Sequence, residues 1–250
     1  MSPAKLESGV RFGPWQGLWL MLGYLAGQFL GTFLIYFAWG AAPGLEAVLH
    51  HHRPLLHPPA DARVMAWGAL LGFLISGAWV LFYVRHQARP LLRRGEATAI
   101  AWRAPKLRAY GAGALAALSA IAFASLMVAV LPPDLSKLTG PTSRLLDAPG
   151  FPRLVVQMLA VLGAPLVEEF LFRGAFFAAL ARGWGIRWAG IVTTLLFMAL
   201  HAPDKAGWWP GFLVIGFLGA MLVLLRLRYK SLWPGMLAHL LYNSSFLLLG

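Results

Sequence analysis

Three short stretches in the second half of this chain place ionisable side chains inside almost purely apolar sequence. LVEEFLFRGAFF contains Glu168, Glu169 and Arg173, FMALH ends at His201, and HLLYN begins at His239. A charged side chain at the centre of a bilayer costs at least about 2.5 to 3.5 kcal/mol. We therefore expect each of these residues to have either a partner or a chemical role.

The first stretch separates into a pair and a single carboxylate. Glu169 and Arg173 are four residues apart, one helical turn, so they can form an ion pair. Removing one partner of a buried ion pair is strongly destabilising, which is consistent with a structural role for this pair. Glu168 lies about 100° round the same helix and needs a partner of its own.

Candidate partners for Glu168 lie in the two later stretches. His201 follows Phe197 by one helical turn, and Asn243 follows His239 by one turn. Ionisable groups within a membrane normally face the interior of a helical bundle, where they can partner one another. From the rise of an α-helix, Glu168, His201 and His239 are expected to lie within about 12 Å of one another in depth. A shared polar cavity inside the membrane is therefore feasible.

Such a cavity would contain the groups needed to hydrolyse a peptide bond with an activated water. A carboxylate can act as the general base, and a histidine beside it can orient the water. A second histidine and an asparagine amide can donate hydrogen bonds to the developing oxyanion. Alternatively, Glu168, His201 and His239 could hold zinc or another divalent metal ion. The helical HExxH pattern of many metallopeptidases is absent.

The composition places the chain in the membrane class. Hydrophobic residues make up 59% of the chain and charged residues 12%, whereas soluble domains carry about 25% charged residues. The absence of cysteine excludes disulfides, thiolate metal sites and a cysteine nucleophile. The net charge of +12 comes without any nucleic-acid-binding signature, so we exclude nucleic acid as a partner and assign the charge to cytoplasmic loops.

Transmembrane helices are the elements expected to position these residues, because each apolar run approaches the roughly 20 residues that a span needs. The predicted fold class is all-α: a polytopic integral-membrane helical bundle with about seven transmembrane helices, in a range of six to eight. Residues 1–14 are expected to form a cytoplasmic N-terminus, residues 15–131 to hold three helices, and residues 154–249 to form the core with the polar stretches. The predicted spans are Trp15–Trp39, Ala62–Val84, Ala109–Leu131, Leu154–Leu180, Trp188–His201, Gly211–Leu225 and Leu232–Leu249.

Loop charges predict the orientation of the chain in the membrane. The stretch Arg85–Arg108 holds seven basic residues and one acidic residue, which is typical of a cytoplasmic loop. Alternation of the spans then places the N-terminus, the Arg182/Arg187 turn and the RLRYK stretch on the same side. We expect a multi-pass protein of the bacterial inner membrane, with anionic lipids in contact with Arg85–Arg108.

A histidine cluster lies in a predicted exterior loop. LHHHRPLLH supplies His50, His51, His52 and His57. Clustered histidines can bind metal ions, but Asp61 is the only carboxylate close to them in sequence. We interpret the cluster as a solvated or interfacial loop and leave it out of the candidate site.

Taken together, EEFLFR, FMALH and HLLYN resemble the motifs EExxxR, FxxxH and HxxxN/D of the CPBP family. This family, also called Abi, comprises CAAX prenyl endopeptidases and bacteriocin-processing and immunity proteins. The order and approximate spacing of the motifs match from Leu154 to Asn243, whereas the first three spans carry no family hallmark. The resemblance implies an integral-membrane endopeptidase with its site inside the bilayer, and residues 154–249 would form its catalytic core.

The resemblance also implies a role for each motif residue. Glu168 would be the general base, and His201 would help to activate the water. His239 and Asn243 would stabilise the oxyanion. The supporting residues would be Glu169, Arg173 and Phe197. No cofactor is favoured, although a metalloprotease mechanism with zinc or another divalent metal is an alternative to the metal-independent glutamate mechanism.

The implied partner is a protein or peptide substrate at the membrane, lipidated or not. Two hypotheses from other classes remain open at this point. A transporter or channel subunit could use the buried glutamates and histidines as a proton or substrate path. A non-catalytic membrane scaffold could retain the fold, although it would not need Glu168 and His201 together.

Overall fold

The structure, a computed structural model, describes residues 11–49 and 61–249. The predicted cytoplasmic N-terminus is therefore described only from residue 11 onwards. The cluster of His50, His51, His52 and His57 lies outside the described residues.

Every regular element in the described part of the chain is helical, so the all-α prediction is confirmed. Short 3₁₀ turns at Arg89–Leu91 and Leu135–Lys137 lie in the connections. The helices are α1 Pro14–Leu49, α2 Ala62–Gln87, α3 Arg108–Val130, α4 Pro141–Asp147, α5 Phe151–Trp184, α6 Ile186–Leu200, α7 Ala202–Lys205, α8 Pro210–Tyr229 and α9 Trp233–Leu249.

Five helices among the described residues are long and apolar enough to cross a membrane: α1 (over Pro14–Gly40), α2, α3, α5 and α8. The protein is therefore a multi-pass helical membrane protein. The other two predicted spans are found as the shorter helices α6 and α9, of 15 and 17 residues, below the roughly 20 residues of a full span. The sixth predicted span is longer than expected, since α8 has 20 residues.

Helix α8 lies at the centre of the bundle. Its most apolar stretch is 56% buried, against 22 to 33% for the corresponding stretches of the other four long helices. The outer helices instead expose large apolar side chains such as Phe29, Phe33, Leu81 and Leu118. Exposed aliphatic and aromatic side chains along such helices are suited to contact with lipid.

Helices α1 and α2 form a closely packed antiparallel pair. A Cβ atom at Gly27 would lie 2.9 Å from the Ser76 Cα atom, so only glycine allows this approach. The Trp79 indole donates a hydrogen bond to the Leu20 carbonyl at 3.1 Å. The Gln28 amide donates to the Ser76 hydroxyl at 3.0 Å, which supplies a buried polar link between the two helices.

A tight turn at Gly185 joins α5 and α6 into a hairpin. Its φ of 85° is a left-handed conformation that favours glycine. Arg173 and Phe197 each lie 12 residues from Gly185, while Glu168 precedes it by 17 residues and His201 follows it by 16. Residues at equal distances from the turn of an antiparallel pair lie at the same level, so the hairpin aligns the EExxxR and FxxxH stretches.

Two segments of α5, Leu159–Gly163 and Glu169–Phe176, are π-helical. Their bonds run from N–H(i+5) to O(i), as between the Ala164 N–H and the Leu159 carbonyl. Pro165 lies between them and has no N–H. Because a π-turn changes the angular register of a helix, the segments redirect the side chains that follow them, including those of the two glutamates.

Arg226 of α8 anchors the loop between α2 and α3 to the bundle. Its guanidinium is 1% exposed and donates to the carbonyls of Ala97 (2.8 Å), Ala99 and Arg173 (2.7 Å). It also lies 4.1 Å from the centre of the Phe177 ring. In the sequence, Arg226 belongs to the stretch RLRYK that was predicted to lie in a cytoplasmic loop, whereas the structure buries it against backbone oxygens.

We predict that Arg226→Met destabilises the protein, because it leaves buried carbonyl groups without donors. The expected loss is about 3 kcal/mol, or roughly 6 to 12 °C in melting temperature. Thermal denaturation in detergent measures the effect. Arg228→Met, which alters an exposed arginine on the same helix, is the matched control and should change little. Equal effects of the two substitutions would contradict the anchoring role.

Candidate active site

A buried cluster of three ionisable residues forms the base of the site. The Glu169 Oε1 atom lies 3.1 Å from Arg173 Nη1 and 3.1 Å from His239 Nδ1. The three side chains are 1%, 0% and 2% exposed. Because the Glu169 carboxylate accepts from two donors, it links α5 to α9 as well as to its own helix.

The guanidinium of Arg173 also contacts α8 and α6. Its Nη2 atom donates to the Gly219 carbonyl on α8 at 3.3 Å. Its central carbon lies 4.2 Å from the centre of the Phe197 ring on α6, within cation–π range. Arg173 therefore joins α5, α6 and α8, which is consistent with the supporting role predicted for it.

Phe197 brings the two histidines together. Its ring is fully buried and lies 4.5 Å from the His201 ring and 5.8 Å from the His239 ring, centre to centre. Phe172 packs against its edge at 5.4 Å. The sequence placed Phe197 one turn from His201, and the structure adds the contact with α9.

The hydrogen bond of His201 determines which of its ring nitrogens carries the proton. Nδ1 lies 2.7 Å from the Phe197 carbonyl oxygen. A carbonyl only accepts hydrogen bonds, so Nδ1 must be the donor. In the neutral ring, Nε2 then carries the lone pair and can accept a hydrogen bond from a water molecule.

Glu168 is the one glutamate of the motif without an ion pair among the described residues. Its Oε2 atom is buried and has no hydrogen-bond partner. The carboxylate interacts electrostatically with His201 and with Arg173. A buried acceptor with no donor is destabilising, and such groups in native proteins often have a functional role.

Helix α1 adds polar groups that sequence analysis did not assign to the site. Tyr24 is 7% exposed, interacts electrostatically with Glu168 and is hydrogen-bonded to Gln28. Gln28 in turn donates to Ser76 of α2. The only available sequence signal was the one-turn spacing of Tyr24 and Gln28 in an apolar span, which is too common to indicate a site.

Asn243 and His239 form contacts other than those expected of oxyanion donors. The Asn243 Nδ2 atom donates to the Ala160 carbonyl on α5 at 2.7 Å. His239 uses Nδ1 to contact Glu169, the glutamate that was expected only to pair with Arg173. The structure therefore brings together Phe197 and His201, and it holds the two residues of HLLYN against α5.

No group of three His, Asp or Glu side chains among residues 11–49 and 61–249 is arranged to hold a metal ion. Glu168, His201 and His239, the alternative metal-binding set, are therefore not gathered as ligands.

An apolar groove lies between α2 and α5. It runs between residues 73–81 of α2 and residues 166–170 of α5, with Trp102 of the α2–α3 loop also lining it. Its volume is about 380 Å³, and every side chain that lines it is apolar. Glu168 lies in sequence between two of the lining residues, Val167 and Phe170, but does not itself line the groove.

The segment after His201 is held by the first turn of α4. The backbone and hydroxyl groups of Thr142 donate to the Asp204 carboxylate at 3.0 and 2.9 Å. Burial lowers the pKa of the neighbouring Lys205, and the charge of Asp204 opposes part of this effect. These contacts position the short helix α7, which begins directly after His201.

Comparisons with known proteins agree with the motifs. Residues 150–245 match the family model described as "Type II CAAX prenyl endopeptidase Rce1-like". Over 103 residues the chain is 28% identical to a protein of Bacillus subtilis (strain 168) named "Putative membrane peptidase YdiL". That alignment spans 41% of the chain and 40% of the relative. No solved structure matches the chain.

We predict that Arg173→Ala and Glu168→Gln differ in their effect on folding. Arg173→Ala leaves Glu169 buried without its guanidinium, which should cost about 3 to 5 kcal/mol. Glu168→Gln preserves the size of a side chain whose Oε2 atom has no partner, so little stability should be lost. The amount of monodisperse protein extracted from membranes measures both. Equal losses would contradict a division between a structural pair and a separate Glu168.

Proposed function

We propose that this protein is an intramembrane endopeptidase, because residues 150–245 match the family model described as "Type II CAAX prenyl endopeptidase Rce1-like". Its substrate would be a membrane-associated or lipidated protein or peptide. The observation that carries this proposal is the buried Oε2 atom of Glu168, which has no hydrogen-bond partner and lies on the same helical hairpin as His201.

The proposed reaction is attack of an activated water on the peptide carbonyl. His201 Nε2 accepts one hydrogen bond from the water, because its Nδ1 proton is held by the Phe197 carbonyl. The Glu168 carboxylate takes the proton as the oxygen attacks, and it then delivers that proton to the leaving amine. The steps balance without a covalent enzyme intermediate or an added cofactor.

His239 is the proposed donor to the oxyanion. Its Nδ1 faces the Glu169 carboxylate at 3.1 Å, which leaves Nε2 as the ring nitrogen that can turn towards a substrate. A proton on Nε2 would then be available to a developing negative charge. In this scheme Glu169 supports His239 and Arg173 together, so its role extends beyond the predicted ion pair.

The apolar groove supports a hydrophobic substrate. Its lining of aliphatic and aromatic side chains between α2 and α5 suits an alkyl or isoprenoid chain or the apolar part of a peptide. A substrate lying along the groove would present an adjacent bond to Glu168. We propose that the groove holds the lipid or apolar segment of the substrate during cleavage.

We propose that the N-terminus is cytoplasmic and that the protein lies in a bacterial inner membrane. Basic residues gather where α2, α5 and α8 end, and the exposed ones include Arg89, Arg93, Arg187 and Arg228. This asymmetry supports the orientation by the positive-inside rule. The exposed arginines of the stretch Arg85–Arg108 are the proposed contacts for anionic lipids.

Comparative terminal-peptide proteomics on host membranes tests the proposed activity. Wild-type protein and Glu168→Gln are expressed at matched levels, and we expect new peptide termini only with the wild type. Arg228→Gln, which changes an exposed side chain away from the site, should produce the same termini as the wild type. If both proteins are folded and no peptide terminus depends on Glu168, the result contradicts the proposed protease activity and supports the transporter or scaffold hypothesis.

We predict that cleavage survives extensive chelation. The described histidines and carboxylates are not gathered as a ligand set, and the proposed water activation uses Glu168 and His201 alone. Membranes are treated with EDTA and 1,10-phenanthroline, and formation of the Glu168-dependent termini is followed. Loss of cleavage that zinc restores would instead support the metalloprotease alternative.

A further inference from the structure

One carbonyl group of α5 is left without its helical donor. In the π-helical segment Leu159–Gly163, the Ala164 N–H bonds to the Leu159 carbonyl and is therefore not available to Ala160. The next donor in this pattern, for the Ala160 carbonyl, would be the nitrogen of residue 165. Residue 165 is proline, which has no N–H. A carbonyl without a donor at this depth costs several kcal/mol.

Asn243 supplies the missing hydrogen bond from another helix. Its Nδ2 atom lies 2.7 Å from the Ala160 oxygen, and its side chain is partly buried. The carbonyl belongs to the turn that directly precedes Ala164–Glu168, the short α-helical segment that ends at the candidate base. Asn243 therefore contacts the backbone that determines where Glu168 points.

We propose that Asn243 is a positioning residue, which holds the turn opened by Pro165 and thereby fixes Glu168 relative to His201. This inference rests on the proposed function, and it replaces the oxyanion role that the HxxxN/D resemblance implies for Asn243. An asparagine that served only an oxyanion would leave the Ala160 carbonyl without a donor. Pro165 thus removes a backbone donor from α5, and Asn243 of α9 replaces it.

The proposal predicts that the effect of Asn243 depends on Pro165. In Pro165→Ala the new N–H can bond to the Ala160 carbonyl, so the asparagine becomes less necessary. We expect Asn243→Ala to lower the melting temperature of the detergent-solubilised full chain by about 4 °C. In the Pro165→Ala background the same substitution should lower it by less than about half as much. The cavity left by the shorter side chain lowers stability equally in both backgrounds, so it cancels from the difference between the two losses in melting temperature.

Cleavage per folded molecule provides the second measurement. The yield of Glu168-dependent termini, divided by the amount of folded protein, should fall about 10-fold or more in Asn243→Ala, because the base is displaced from its water. The double variant should recover part of this loss relative to Asn243→Ala. A purely structural asparagine would lower the amount of folded protein and leave the yield per molecule unchanged.

Ser245→Ala is the matched control. The Ser245 hydroxyl donates to the Tyr242 carbonyl at 2.7 Å. Both residues lie on α9, so this bond does not involve α5. Its effect on stability should be the same in both backgrounds.

Two outcomes overturn the proposal. The first is an equal stability loss for Asn243→Ala with and without Pro165, and the second is the absence of any such loss. A defect in cleavage with no coupling to Pro165 would favour the oxyanion role. If the wild type forms no Glu168-dependent termini, the proposed function fails, while the stability measurement still decides whether Asn243 and Pro165 act together.

Discussion

The buried carboxylate of Glu169 is the interaction on which the rest of this structure depends. In a low-dielectric interior, a charge is tolerated only if charged and hydrogen-bonding partners surround it. Arg173 and His239 meet this need from α5 and α9, and Arg173 extends the contact to the Gly219 carbonyl of α8. One carboxylate therefore determines how the central helices pack, and it leaves the neighbouring Glu168 as the group whose Oε2 atom has no partner.

Satisfaction of backbone groups is the second constraint, because few waters are available inside a membrane. Pro165 and the π-helical turns disturb the hydrogen bonds of α5, and Asn243 of α9 donates to one of the carbonyls affected. Arg226 likewise donates hydrogen bonds to backbone carbonyls of the loop between α2 and α3. In both places a side chain that is distant in sequence donates the hydrogen bond that the local backbone does not supply.

Much of the fold and part of the site could be predicted because their signals are local. Apolar runs predict helices that span a membrane, and a spacing of four predicts the pair of Glu169 and Arg173. The alignment of Glu168 with His201 was also accessible, since the two lie almost equally far from the turn at Gly185. Depth estimates counted from predicted span ends missed this alignment, because those ends are less certain than a glycine turn.

The membrane class, the helical elements and the identity of the residues able to do chemistry can be read from the sequence, because they follow from hydrophobicity and from periodicity along one helix. Which of these residues meet depends on how the helices pack. In the structure His239 is hydrogen-bonded to Glu169, and Asn243 donates to the Ala160 carbonyl. Tyr24 of α1 interacts electrostatically with Glu168. Such pairings depend on the angular register and packing of separate helices, which the π-helical turns of α5 alter without a strong local signal.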